Sequence, residues 1–170
     1  MSRAHVVLPS PIGGLTVVAE DGAITHLLMD AARYRPEDPE VLGTGGDPSD
    51  EPFAAAGVQL AAYFTGALTE FDLPLAPRGD DFHQRVWALL REIPYGETRS
   101  YGDLARALGD RNLAQAVGTA NGRNPIAVVV PCHRVIGSDG ALVGYAGGLV
   151  RKRFLLALEE PPAADSGRLF

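Results

Sequence analysis

Apolar residues follow two different rhythms along this chain of 170 residues. Three short apolar segments come first, at residues 6–8, 15–19 and 24–29. A Pro-, Ser- and Gly-rich stretch at 9–14 and the pair Asp21-Gly22 separate them, which predicts three strands in a meander. Residues 30–52 are rich in Pro, Gly, Asp and Glu and predict a long mobile loop. From Phe53 the period changes: Phe53, Leu60, Ala61 and Phe64 recur at helical spacing, predicting an amphipathic helix that ends near Gly66.

A second lobe opens at Asp80. Phe82, Val86, Leu89, Leu90 and Ile93 mark one helix face, closed by Pro94. Ser100-Tyr101-Gly102-Asp103 is a capping-box pattern, and Tyr101, Leu104, Ala105 and Leu108 form the apolar face of the helix it starts. A turn at Gly109-Asp110-Arg111-Asn112 leads to a helix whose buried face is Leu113, Ala116, Val117 and Ala120. Two short helices so joined form a helix-turn-helix candidate, although helical hairpins are common. The other face of the second helix carries Ala114, Gln115, Gly118, Thr119 and Gly122, all uncharged and mostly small. Glycine in a helix costs about 1 kcal/mol relative to alanine. A face of this kind lets the backbone approach something closely, either another part of the protein or a nucleic-acid groove.

A glycine-punctuated hairpin at 137–140 then leads to Gly144-Tyr145-Ala146-Gly147-Gly148, a run able to bring N–H groups against a ligand. The closing helix has Val150, Phe154, Leu155 and Leu158 as its buried set, with Arg151, Lys152 and Arg153 near its start. Cations there oppose the helix dipole, so anion contact explains them better than helix stability does. The fold class is α+β. A small N-terminal mixed α/β lobe with an antiparallel sheet (1–79) precedes a mainly helical lobe (80–160) with the helix-turn-helix, and a tail from 161 is predicted to be disordered.

Composition adds little until the charge is divided. With 46% hydrophobic residues the chain can bury a core. No apolar run approaches a membrane span, and the first residues lack the apolar segment of a signal peptide. A cytoplasmic protein with no membrane partner is the expectation. The net charge of −6 argues against a nucleic-acid partner. Residues 1–81, however, hold four basic and thirteen acidic side chains, whereas residues 99–153 hold eight basic and three acidic. The second lobe therefore permits a polyanion partner, and overall acidity predicts weak, salt-sensitive non-specific binding.

Cys132 is the only cysteine, so it has no intramolecular disulfide partner and no second thiol for a CxxC or cysteine zinc site. A lone cysteine is more often an inert buried residue than a nucleophile. Its neighbours change the balance. The apolar stretch 126–130 delivers it to Pro131, and His133 and Arg134 follow; a histidine and a cation can lower a thiol pKa from its ordinary value of about 8.5.

Four runs then carry a resemblance. Ile93-Pro94-Tyr95-Gly96-Glu97-Thr98-Arg99-Ser100-Tyr101, Ala120-Asn121-Gly122-Arg123-Asn124-Pro125, Pro131-Cys132-His133-Arg134-Val135-Ile136-Gly137 and Gly144-Tyr145-Ala146-Gly147-Gly148-Leu149 occur in order at fitting separations. With them the chain resembles the O6-alkylguanine-DNA alkyltransferases, also called methylated-DNA–protein-cysteine methyltransferases. The resemblance is strong over residues 80–159 and looser before them.

It implies that Cys132 attacks the alkyl carbon on O6 of guanine, and less readily on O4 of thymine, once per molecule, keeping the alkyl group as a thioether. Glu159, His133 and a bridging water would draw off the thiol proton, and Tyr101 would donate to guanine N3. Carbonyls of Cys132 and Val135 would accept the guanine amino group. Tyr145 and the N–H of Ala146 would close over O6, with Gly147 and Lys152 in the same substrate-binding set. Asn124 would tie the helix-turn-helix to the Cys132 segment. Ala114, Gln115, Gly118, Gly122, Arg123 and Arg134 would face DNA, the second helix entering a minor groove about 6 Å wide while the target base flips out. The implied partner is double-stranded DNA bearing O6-alkylguanine. A monomer able to cluster along DNA, with no cofactor and no metal, completes the expectation.

Gln115 departs from the pattern, since most relatives carry an arginine there to hold the vacated stack. Ala146 stands where some relatives have serine, and the cysteine-based zinc site of some members cannot be built. Three other readings remain: a lesion-binding protein without chemistry, though such proteins lack the nucleophile; a cysteine hydrolase, though adjacent Cys132 and His133 suit a dyad poorly; and an alkyltransferase redirected to a small molecule or free base, motivated by Gln115. Glutamine offers no cation–π stacking in the vacated space. Gln115→Arg is therefore expected to speed repair of duplex DNA in single-turnover assays, and an unchanged or slower rate would count against this explanation.

Overall fold

The computed structural model describes residues 3–30, 32, 39–142 and 144–161. Expectations for residues 31, 33–38 and 162–170, in the acidic loop and the tail, lie outside the described residues. The architecture is the α+β arrangement that the sequence predicts. Strands β1 (Arg3–Leu8), β2 (Leu15–Glu20) and β3 (Ala23–Met29) form an antiparallel meander. Asp21 and Gly22 both take positive φ (54° and 82°), the geometry that a two-residue hairpin needs to match strand twist.

The predicted loop over 30–52 is structured in its second half. Helix α1 (Pro39–Leu42) and strand β4 (Thr44–Gly45) lie against β1, with β4 parallel to it, giving the sheet order β3-β2-β1-β4. Arg3 donates to the Glu40 carbonyl at 2.6 Å, and the His5 ring bonds the Leu42 carbonyl at 3.1 Å. Gly43 comes so close that a Cβ there would meet the Arg3 carbonyl oxygen at 2.2 Å. A glycine that reads as a loop signal in sequence is what allows this close approach.

Helix α2 (Phe53–Phe64) buries Phe53, Ala56, Leu60 and Tyr63. Helix α3 (Asp81–Arg91) is capped by Asp80, which accepts from His83 N at 2.9 Å. Its Trp87 donates to the Ala120 carbonyl at 2.9 Å and so fixes α3 against the second helix of the motif. Helix α4 (Tyr101–Ala107) has both bonds of its capping box. A 3-10 turn at Arg111–Leu113, capped by Asp110, leads into α5 (Ala114–Gly122). Strands β5 (Arg99–Ser100) and β6 (Val135–Ile136) pair in parallel, and α6 (Leu149–Glu159) closes the described fold. Among the described residues no helix is long and apolar enough to cross a membrane.

Two helix faces differ from the periodic pattern. On α5 Ala116 is exposed and Asn121 is buried. On α6 Val150 is 78% exposed and Phe154 39%, while Lys152, Leu155 and Glu159 point inward. Phe154 instead lies beside Phe64, with ring centroids 6.4 Å apart. Hydropathy misplaced this face because two of its buried residues are charged, and each has partners inside the protein.

The lobes join along the outer edge of β3. Leu27 N donates to the Pro125 carbonyl at 2.8 Å and Ala127 N to the Leu27 carbonyl at 3.2 Å. On the same strand Ile24 exchanges bonds with Pro74 and Ala76, each 2.8 Å long. This pairing covers an edge that would otherwise be left open. The segment that runs on to Cys132 is thus anchored on the first lobe.

Candidate active site

Cys132 is delivered by two tight turns in an apolar segment. Val128 has φ +70°, and Val129 N reaches back to the Ala127 carbonyl at 2.8 Å. A β-branched residue in this region costs about 1–3 kcal/mol, so the surroundings must hold it. They do so through burial of Val128 and Val130, the bond from Val130 N to the Ile126 carbonyl (3.0 Å), and the Asn124 amide, which donates to the Val130 carbonyl at 2.7 Å. Pro131 (φ −82°, ψ 66°) makes the second turn, with Cys132 N bonded to the Val130 carbonyl at 2.8 Å. Residues Cys132–Arg134 then form a 3-10 turn, and all three side chains are buried.

Behind the thiol lies a carboxylate with four bonds. Glu159, the last residue of α6, accepts from Tyr63 Oη at 2.5 Å, His133 Nε2 at 2.7 Å, and Arg134 Nε and Nη2 at 2.7 and 3.0 Å. Burial raises its pKa, but the bonds from His133, Arg134 and Tyr63 outweigh burial and hold it at about 2. Glu159 is therefore ionised and His133 donates to it through Nε2–H, a tautomer assigned from this bond. Nδ1 of His133 is buried and has no hydrogen-bond partner among the described residues. Burial lowers the His133 pKa more than Glu159 raises it, which keeps the ring neutral.

Arg134 cannot serve as a DNA-contacting residue here. It is 7% exposed, pairs with Glu159, and donates its remaining Nη1 to the Ile93 carbonyl at 2.7 Å. Two of the three cations near the start of α6 also differ from the anion-contact expectation, while Arg153 is exposed. Lys152 is fully buried and donates to the carbonyls of Val135 (2.6 Å) and Gly144 (3.2 Å). Arg151 donates to the carbonyls of Ile12, Asp30 and Gly147. Backbone carbonyls replace the anion in both cases.

The thiol environment reverses one expectation. Burial pushes the Cys132 pKa up, and the Asn124 amide, the Lys152 charge and the Tyr145 hydroxyl only partly offset this. His133 and Arg134 are turned toward Glu159, so they do not activate the sulfur directly. The resting thiol is neutral. Tyr145 has its hydroxyl buried close to the sulfur, and burial holds its phenol well above the ordinary range. Burial also raises the Tyr101 phenol, while a bond from Asn121 opposes that rise.

Asn121 is the residue the sequence reading left without a role. Its amide donates to the Cys132 carbonyl at 3.3 Å, and Val135 N bonds the same oxygen. With two acceptor sites on a carbonyl, Cys132 O is fully engaged, and Val135 O accepts from Lys152. Tyr63 was also missed. The only signal for Asn121 is a polar residue on the inner face of α5, and Tyr63 has no local signal.

Two cavities meet at the loop 144–148. One of about 190 Å³ is lined by Cys132, Asn124, Met29, Tyr145, Ala146 and Gly147. The other, about 110 Å³, is lined by Tyr101, Gly118, Asn121, Tyr145 and Ala146. Tyr145, Ala146 and Gly122 line both, so they lie where the thiol cavity and the phenol cavity meet. On the outer side of α5, Gln115 and Arg123 are exposed and Ala114, Gly118 and Gly122 half-buried. A Cβ at Gly118 would meet only the Tyr101 ring at 3.8 Å, an ordinary contact. Packing inside the protein does not demand glycine there, which favours approach by an outside surface.

A sheet lobe welded to a helix-turn-helix lobe around one buried thiol defines the class to which both halves of the sequence match. Residues 5–77 match the ribonuclease-like domain of 6-O-methylguanine DNA methyltransferase, and residues 81–161 match its DNA binding domain. The chain belongs to the 6-O-methylguanine DNA methyltransferase family. A methylated-DNA–protein-cysteine methyltransferase of Mycolicibacterium paratuberculosis is 53% identical over 161 residues, covering 95% of this chain and 94% of that one. Its counterpart of the same name in Methanosarcina barkeri is 48% identical over 154 residues, covering 91% and 95%. The crystal structure of Mycobacterium tuberculosis O6-methylguanine methyltransferase gives a TM-score of 0.84 at 50% identity, covering 95% of this chain and 96% of that chain. Mycobacterium tuberculosis OGT in complex with DNA gives the same score and identity, covering 94% and 93%.

The carboxylate network has a measurable consequence. Glu159→Gln leaves Arg134 buried without its counter-charge, a change that typically costs about 3–5 kcal/mol. Urea unfolding should show a loss of this size, and one below about 1 kcal/mol, the worth of an exposed pair, would contradict the network. In the parent the Glu159 contribution is complete above an ordinary carboxyl value of about 4.3. It disappears as the pH falls toward the folded value of about 2.

Proposed function

We propose that this protein repairs DNA by direct reversal, moving the alkyl group from O6 of guanine, and less readily from O4 of thymine, to Cys132 in one irreversible turnover. The observation that carries the reading is the chain's single thiol, buried beside a neutral histidine whose Nε2 is bound to an ionised glutamate. The alkyl carbon is inaccessible inside a duplex. The base must flip out, at a cost of a few kcal/mol, while the small residues 114, 118 and 122 of α5 allow close approach to the minor groove.

The reaction follows from the resting protonation states. The proton of Cys132 leaves as the base arrives, passing through one water to His133 Nδ1. Glu159 steadies the imidazolium that results. The sulfur–carbon bond forms as the carbon–O6 bond breaks, and the electron pair of that bond passes to the purine. Tyr101, a phenol held protonated by burial, donates to N3, so the purine does not leave as a full anion. Val135 O accepts the guanine amino group, and Tyr145 and Ala146 bound the O6 side. Asn124 holds the Val130 turn against the end of α5. The thioether is permanent, since no second thiol exists to take the alkyl group onward.

Intact mass spectrometry tests this directly. After incubation with a duplex oligonucleotide bearing O6-methylguanine, the parent protein should gain one methyl and a Cys132→Ser control none. Tight binding with no mass change would overturn the reading in favour of a lesion sensor. Transfer from a free O6-alkylguanine base as fast as from duplex DNA would overturn DNA as the preferred substrate.

A further inference from the structure

A cation on the first turn of a helix opposes the helix dipole, yet Arg151 sits on the first turn of α6. What holds it there spans both lobes. Its Nε donates to the Ile12 carbonyl at 3.1 Å, in the turn between β1 and β2. Its Nη1 donates to the Asp30 carbonyl at 2.6 Å, just past the end of β3, and reaches the Gly147 carbonyl at 3.5 Å. The Asp30 carboxylate in turn accepts from Gly14 N at 3.1 Å, bracing the same turn. One planar fork thus joins the first lobe, at two points, to the loop that bears Tyr145 and Ala146.

A second contact seats the loop at the same place. A Cβ at Gly147 would meet Met29 Sδ at 2.6 Å and the Tyr145 ring at 2.9 Å. The loop therefore rests on the last residue of β3 with no room to spare. Because Tyr145 and Ala146 border both the thiol cavity and the phenol cavity, a base that touches both Cys132 and Tyr101 must press against them. The position of the loop then decides whether the alkyl carbon lines up with the sulfur.

We propose that Arg151 is a positioning residue for alkyl transfer: it ties the substrate-closing loop to the first lobe, which thereby sets the rate at which Cys132 accepts the alkyl group. This rests on the alkyl-transfer reading above. Arg151 touches neither the base nor the sulfur, so it acts through Gly147 and the residues beside it. Lysine cannot replace it fully, because a single ammonium lacks the fixed fork that serves carbonyls on two sides.

The test is single-turnover transfer from an O6-methylguanine duplex oligonucleotide, with the protein in excess and its concentration varied. Arg151→Ala is expected to lower the saturating rate constant by about tenfold or more, as misplacement of about 1 Å in a site can, with the half-saturation concentration little changed. Arg151→Lys should fall between the two. Arg153→Ala, on the same helix and exposed, removes the same charge and should transfer at the parent rate. If Arg151→Ala does not fold, the lysine variant carries the comparison, and a parent rate there overturns the proposal. A parent rate in folded Arg151→Ala, or a change confined to half-saturation, overturns it as well. Failure of the parent itself to gain a methyl would overturn the alkyl-transfer reading together with this one.

Discussion

A buried carboxylate at the wrong end of a helix organises this protein. Glu159 ends α6, where the helix dipole disfavours negative charge, and it lies almost wholly out of water. Such a group survives only if it is paired and hydrogen-bonded on every side. Tyr63 of α2, His133 and Arg134 beside the thiol supply those bonds. The same requirement therefore brings together the first lobe, the closing helix and the Cys132 turn. It also fixes the histidine tautomer and takes Arg134 away from any outside partner.

Reactivity follows from what this network leaves undone. It orients His133 but offers the sulfur no direct counter-charge, and burial keeps the thiol protonated. A protein that can react only once benefits from a nucleophile that stays neutral until its substrate arrives, since a standing thiolate is open to stray alkylation and oxidation. The strained turn at Val128, the Asn124 bonds and the pairing of residues 125–127 with β3 set the position of the sulfur. The loop 144–148 lines the cavity beside it. Both rest on the first lobe, which is thus part of the working site and more than a support.

Much of this was legible in sequence where the determinants are local. Short apolar segments and turn residues mark β1 to β3, and Ser100 with Asp103 marks the start of α4 down to both capping bonds. Cys132, His133, Glu159, Tyr101 and Asn124 stand out through motifs that resemble a known family; the structure places Cys132, Asn124 and Tyr101 on two adjoining cavities and bonds His133 to Glu159 behind them. What stayed hidden depends on contacts distant in sequence. Tyr63 and Glu159 are separated by 96 residues. Strand β4 hid in a glycine-rich stretch because glycine marks loops and close approaches alike. Arg134, Arg151 and Lys152 read as surface cations, since nothing local tells an arginine facing carbonyls from one facing phosphates. The exposed Val150 and Phe154 show the same limit from the apolar side.

The central claim is that the thiol is neutral at rest and loses its proton only with the base in place. The ultraviolet absorbance of the thiolate in the free protein, read against a Cys132→Ser blank as the pH is raised, measures this most directly. The account predicts a midpoint above the ordinary thiol value of about 8.5. A midpoint below neutrality would reveal a standing thiolate and contradict it.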